Sequence, residues 1–193
     1  MLLNYVEGMN TTPATINQIV PFAVEASWAT GRWQTLQKYL GSYNAGNHLE
    51  VFNLGIGSAL LALKDGKLDQ FKAFIQELRD KAASSMSYSA TVSLQSCHDA
   101  MLKCHVLTDL ELIADNAVED NGDQQETQTL LNRRLEVIGA YVSDKQYLLG
   151  IRRAAMELMR YVQQSLVHDC VLIWIGLNSA TETSRLYGFR VLD

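Results

Sequence analysis

Phe22-Ala23-Val24-Glu25-Ala26-Ser27-Trp28-Ala29-Thr30-Gly31-Arg32-Trp33-Gln34-Thr35-Leu36-Gln37-Lys38-Tyr39-Leu40 decides the fold of this 193-residue chain. Pro21 suits a first helical turn and Gly31 a stop, so the stretch predicts a helix over 22–30, a glycine turn and a second helix over 32–40. The same pattern returns 35 positions later, with Gly66 standing for Gly31. Trp33 then falls on Leu68, Leu36 on Phe71, Tyr39 on Phe74 and Leu40 on Ile75. Upstream, Trp28 falls on Leu63 and Val24 on Ala59. One helix pair cannot bury its own apolar face, so pairs recurring at this period stack and share a core. The pattern predicts an all-α chain of antiparallel helix pairs stacked as a tetratricopeptide-like α-solenoid, with Trp28, Gly31, Trp33, Leu36, Gly66, Leu68 and Phe71 as repeat anchors.

Working outward, residues 1–20 read as a cut or irregular segment, 21–160 as helical repeats and 161–193 as further helices of weaker periodicity. After a loop over 41–47, helices are expected at 49–64 and 68–83. One long helix is expected at 88–117, with no Gly or Pro to break it. Residues 115–128 are acidic and Gln-rich and predict an exposed loop, followed by helices over 130–142 and 144–161.

Composition supports this reading. Hydrophobic residues make up 48% and charged residues 19%, enough for a sizeable core, and the two prolines and 8% aromatics fit helices better than a sandwich. The net charge of −5 excludes a domain whose main task is gripping nucleic acid. No run approaches the roughly 18–20 apolar residues of a membrane span. The start lacks the basic region of a secretion signal, and three cysteines suit a reducing compartment. The expectation is an intracellular, soluble chain.

Few residues suggest chemistry. Cys97-His98 and Cys104-His105 offer thiolate and imidazole, but seven residues of helix separate the pairs by about 10 Å, too far for one zinc ion. Asp99 or Asp109 beside such a pair has no spacing that supports a nucleophile. Gly55-Ile56-Gly57 lacks the third glycine of a dinucleotide loop and reads as a small-residue face where helices approach closely. Arg133-Arg134 and Arg152-Arg153 read as solvated helix edges. No phosphate loop, zinc-protease or kinase signature occurs, so no activity is expected of this chain alone, and no catalytic, cofactor-binding or metal residue is assigned.

The segments 22–40, Leu54-Gly55-Ile56-Gly57-Ser58-Ala59-Leu60-Leu61, 71–79, Cys104-His105-Val106-Leu107-Thr108-Asp109-Leu110-Glu111-Leu112 and Leu149-Gly150-Ile151-Arg152-Arg153-Ala154 together resemble the FAT domain of ATR-type checkpoint kinases. These belong to the phosphatidylinositol-3-kinase-related protein kinases, and the wording is most like a fungal member. The resemblance covers about residues 20–160. It implies a non-catalytic scaffold that supports and regulates a Ser/Thr kinase domain outside this chain, in the nuclear response to DNA damage and replication stress. It implies ATP and Mg for that kinase domain and none here. The implied partners are the kinase domain and neighbouring repeats of the same parent, a second copy through dimer contacts, and the parent's checkpoint partner protein, with no direct nucleic acid and no membrane. Thr127-Gln128 matches the short target motif of this kinase class. The competing readings are a free-standing helical-repeat adaptor that binds a peptide and, last, a small enzyme using Cys104 or His105.

Overall fold

The computed structural model describes residues 13–43, 46–89, 94–118 and 124–159. Among them the regular structure is entirely helical: α1 Pro13–Ala29, α2 Trp33–Ser42, a 3-10 turn His48–Glu50, α3 Phe52–Lys64, α4 Leu68–Ser89, α5 Leu94–Val118, α6 Gln124–Val137 and α7 Val142–Leu158. Two compact units divide the chain, Met1–Leu107 and Thr108–Asp193. The boundary falls within α5.

In the first unit, α1 and α2 join through Gly31, and α3 and α4 through Gly66. The two turns have the same hydrogen bonds. Gly31 N–H donates to Trp28 O (3.2 Å) and Arg32 N–H to Ser27 O (2.8 Å); Gly66 N–H donates to Leu63 O (3.1 Å) and Lys67 N–H to Ala62 O (2.9 Å). Both glycines are left-handed, with φ of 68° and 71°, where a Cβ costs about 1–2 kcal/mol. These bonds satisfy carbonyls that a helix end otherwise leaves open.

Packing follows the same repeat. Val24 and Ala59, Trp28 and Leu63, Leu36 and Phe71, and Leu40 and Ile75 are all buried. Helices α1 and α2 pack on each other, as do α3 and α4, and α3 also packs on both α1 and α2. Two glycines permit this closeness. A Cβ on Gly55 would stand 2.5 Å from Leu78 Cδ2, and one on Gly57 would stand 2.7 Å from Val24 Cγ1 and 3.2 Å from Leu36 Cδ1. The Gly55-Ile56-Gly57 stretch is therefore a contact face of α3, as its residue sizes predict.

Some boundaries differ from expectation. Helix α1 begins at Pro13, inside the segment expected to be irregular, and runs through Pro21. A mid-helix proline costs about 3 kcal/mol or more. Burial of Val20, Ala23 and Val24 beside it offsets this, at roughly 1.5–3 kcal/mol for each fully buried branched side chain. Helix α2 passes its expected stop at Gly41 by one residue, and Ser42 Oγ donates to Lys38 O at 2.9 Å. Asn47 Oδ1 accepts from Leu49 N–H (3.0 Å) and opens the 3-10 turn at the start of the expected 49–64 helix. Helix α4 extends to Ser89 and α5 starts at Leu94, so the long helix begins six residues late. Much of the expected 115–128 loop is helix, since α5 reaches Val118 and α6 starts at Gln124. Glutamine and glutamate are good helix formers, so their polarity misleads there. The region 161–193 lies outside the described residues.

Candidate functional site

The repeat anchors share the first unit. Trp28, Leu36 and Phe71 are buried, and Trp33 and Leu68, which are equivalent in the repeat, are both half-buried. Gly31 and Gly66 hold the two turns. Trp28, Leu36 and Phe71 belong to the buried apolar core of this unit.

The second unit contains a buried ion cluster in which one carboxylate pairs with two arginines. Asp109 on α5 is fully buried at 0% exposure, and Arg152 on α7 is 1% exposed. Arg152 Nε donates to Asp109 Oδ2 at 2.8 Å, and its Nη2 lies 2.7 Å from the same oxygen, off the line of its N–H bonds. Arg134 Nε on α6 donates to the other oxygen, Oδ1, at 2.5 Å, with the Arg134 side chain 22% exposed. One carboxylate thus joins three helices. A second rung repeats the α5–α6 link, where Asn116 Nδ2 donates to Thr127 Oγ1 at 2.6 Å. Asn116 lies seven residues after Asp109, and Thr127 seven before Arg134, so the two rungs keep register. A buried ion pair is a weak source of net stability but a strong constraint on geometry, because separating its members strands a charge in the interior.

Comparison with protein families matches residues 20–185 to the FAT domain. The chain belongs to the FAT domain family. No curated protein and no solved structure matches it. The match supports a FAT segment of the phosphatidylinositol-3-kinase-related protein kinases, a non-catalytic helical scaffold region.

Within this FAT domain the Asp109 cluster corrects the sequence reading of the arginine pairs. Arg134 and Arg152 are not solvated edges: one is mostly covered and the other wholly buried. Arg153 does face outward and pairs with Glu157 at 2.7 Å. The signal was present in the sequence. Asp109 interrupts the apolar positions Val106, Leu107, Leu110 and Ile113, and Arg152 interrupts Leu148, Leu149, Ile151 and Ala155. Opposite charges that each break an apolar stripe are candidates to meet in the core.

The remaining candidates are scattered in the FAT domain. Cys97, His98, Cys104 and His105 are half-buried, and no three His, Cys, Asp or Glu side chains among the described residues are grouped to hold a metal ion. Asp99 accepts from Gln95 Nε2 at 2.9 Å. Thr127 lies within α6 rather than in the expected acidic loop, half-buried with its hydroxyl bonded to Asn116. Glu25 on α1 accepts from Asn53 Nδ2 at 2.9 Å. Desolvation raises its pKa above the ordinary 4.5, and the Asn53 hydrogen bond pulls it partly back. No described helix is long and apolar enough to cross a membrane.

Proposed function

We propose that this FAT segment is a load-carrying part of an ATR-type protein kinase of fungal origin, a tetratricopeptide-like α-solenoid that supports and regulates a kinase domain outside the chain. The observation that carries this reading is the pair of matching glycine turns, with equivalent hydrogen bonds and equivalent burial 35 residues apart. The register of the Asp109–Arg134 and Asn116–Thr127 rungs supports antiparallel pairing of α5 and α6, because residues later in one helix meet residues earlier in the other.

Large apolar side chains support continuation of the stack. Phe22 on α1 is 71% exposed, and Val137 at the end of α6 is 73% exposed. In a solenoid such residues meet neighbouring repeats of the parent or a second copy in a dimer. The parent kinase binds ATP and Mg in its own catalytic domain, acts in the nucleus on damaged or stalled DNA, and works with its checkpoint partner protein. This chain contributes rigid spacing and a surface through which regulation reaches the active site.

Immunoprecipitation with an antibody against this chain tests the proposal. The precipitate is expected to phosphorylate a peptide containing Ser-Gln and to leave a Ser-Ala control unmodified. A precipitate that contains the chain and no kinase activity on the Ser-Gln peptide contradicts it and favours the free-standing adaptor.

A further inference from the structure

Two polar rungs join α5 to α6, Asp109 to Arg134 and Asn116 to Thr127, and they stand seven residues apart on both helices. Buried aliphatic side chains follow the same period. Ile113 lies four residues after Asp109 and three before Asn116, so it shares their face, and Val106 stands seven residues before it. On α6, Leu131 lies in the same way between Thr127 and Arg134, and Ile138 follows it by seven. Sliding α6 along α5 by seven residues, about 10 Å, therefore brings aliphatic side chains to aliphatic ones again. Val106 comes to the level of Leu131 in one direction, and Ile113 to that of Ile138 in the other. Five residues, 119–123, connect the helices, and an extended chain of that length spans about 16–18 Å, so the connection permits such a slip.

The polar side chains distinguish these alignments. One slip sets Asp109 beside Thr127 and the other sets Arg134 beside Asn116, and each parts the Asp109 and Arg134 charges by about 10 Å. A slip of a single turn is no better, because Asp109 then meets Leu131 or Ile138. Parting a buried pair is strongly unfavourable, whereas replacing all its members by apolar residues of similar size is often neutral or stabilising. The cluster itself carries such a cost: Arg152 Nη2 is buried 2.7 Å from Asp109 Oδ2 without an aligned hydrogen bond. We propose that Asp109, Arg134 and Arg152 form a register lock. It selects one alignment of α5 and α6 among several that apolar packing leaves nearly equivalent, and it does so without a gain in stability. The lock thereby fixes the level along α5 at which α6 presents its exposed Val137. The proposal does not depend on the identity of the parent kinase.

Thiol–disulfide exchange in the full chain reads the alignment. Asn116→Cys/Thr127→Cys puts two thiols where the side chains now meet at 2.6 Å, and a seven-residue slip parts them by about 10 Å, beyond the reach of a disulfide. The effective concentration of this thiol pair is measured in a glutathione buffer, with peptide mapping to set aside links through Cys97, Cys104 or Cys170. The measurement is made with the cluster intact and again with Asp109→Leu/Arg134→Leu/Arg152→Met added. The apolar trio is expected to lower the effective concentration at least threefold, while its urea midpoint stays at or above that of the intact cluster. Two results overturn the proposal. An unchanged effective concentration means that apolar packing sets the register unaided. A urea midpoint clearly below that of the intact cluster, whatever the cross-linking, makes the cluster a source of stability instead of a selector.

Discussion

Arg152 Nε donates to Asp109 Oδ2 across 2.8 Å, joining α7 to α5 through a carboxylate that solvent does not reach. Arg134 donates to the other oxygen from α6, so one buried carboxylate serves both guanidinium groups. Removing the carboxylate leaves two guanidinium groups without their shared acceptor. Asp109→Ala is therefore expected to destabilise by about 3–5 kcal/mol, read as a lower urea midpoint. Arg134→Gln is expected to lose markedly less, since water reaches part of that side chain. Equal losses from the two variants would show that Asp109 is not the centre of the cluster.

Opposite outcomes are expected for two Gly→Ala substitutions in neighbouring helices. Alanine is favoured over glycine in a helix by about 1 kcal/mol. At Gly41, where an added Cβ meets nothing within 4 Å, that preference acts alone and raises the melting temperature. At Gly57 the new Cβ would stand 2.7 Å from Val24 and 3.2 Å from Leu36, and overpacking costs about 1–3 kcal/mol. The Gly57→Ala chain is expected to melt below the parent. A thermal scan in which both variants gain would mean that α3 does not approach α1 and α2 this closely.

The left-handed turns give a third prediction. Gly31→Ala and Gly66→Ala each place a Cβ at positive φ with open space around it, so the cost is backbone strain of about 1–2 kcal/mol. Asparagine tolerates this conformation better, so Gly66→Asn is expected to recover part of the loss in chemical denaturation. Similar losses at Gly31 and Gly66 are expected because the two turns share their hydrogen bonds.

Glu25 makes stability depend on pH in a defined direction. Its carboxyl is raised in the folded chain, chiefly by desolvation, so the native state binds the proton more tightly than the unfolded state. Stability from this group is then present in acid and falls as pH rises from the unfolded value through the folded one. Glu25→Gln keeps an acceptor for Asn53 and removes the charge. The variant is expected to melt above the parent at pH about 7, with the gain closing as the pH drops below the ordinary carboxyl range. A gain that persists unchanged in acid would assign the effect to packing rather than ionisation.

The helical class, the glycine turns and the close approach at Gly55 and Gly57 were legible because each depends on local chemistry: spacing, φ and side-chain size. Helix α1 is longer than the sequence predicts because Pro21 favours a first turn, whereas burial of Val20, Ala23 and Val24 carries the helix through it. The polarity of the run before Leu130 predicts a loop, but its Gln and Glu are helix formers and Asn116 ties Thr127 to α5. The charges of the Asp109 cluster are visible in the sequence as breaks in apolar stripes, but their meeting is not. Asp109, Arg134 and Arg152 are separated by 25 and 43 positions from the carboxylate outward, and only tertiary packing decides whether charges that interrupt apolar stripes meet or face water.

The most direct test of the central claim is the mass of the native protein, measured by immunoblot with an antibody raised against this chain. A band of very high mass is the result expected of a FAT segment built into a giant kinase. A single band near 21.6 kDa would contradict that account and leave an independent helical module.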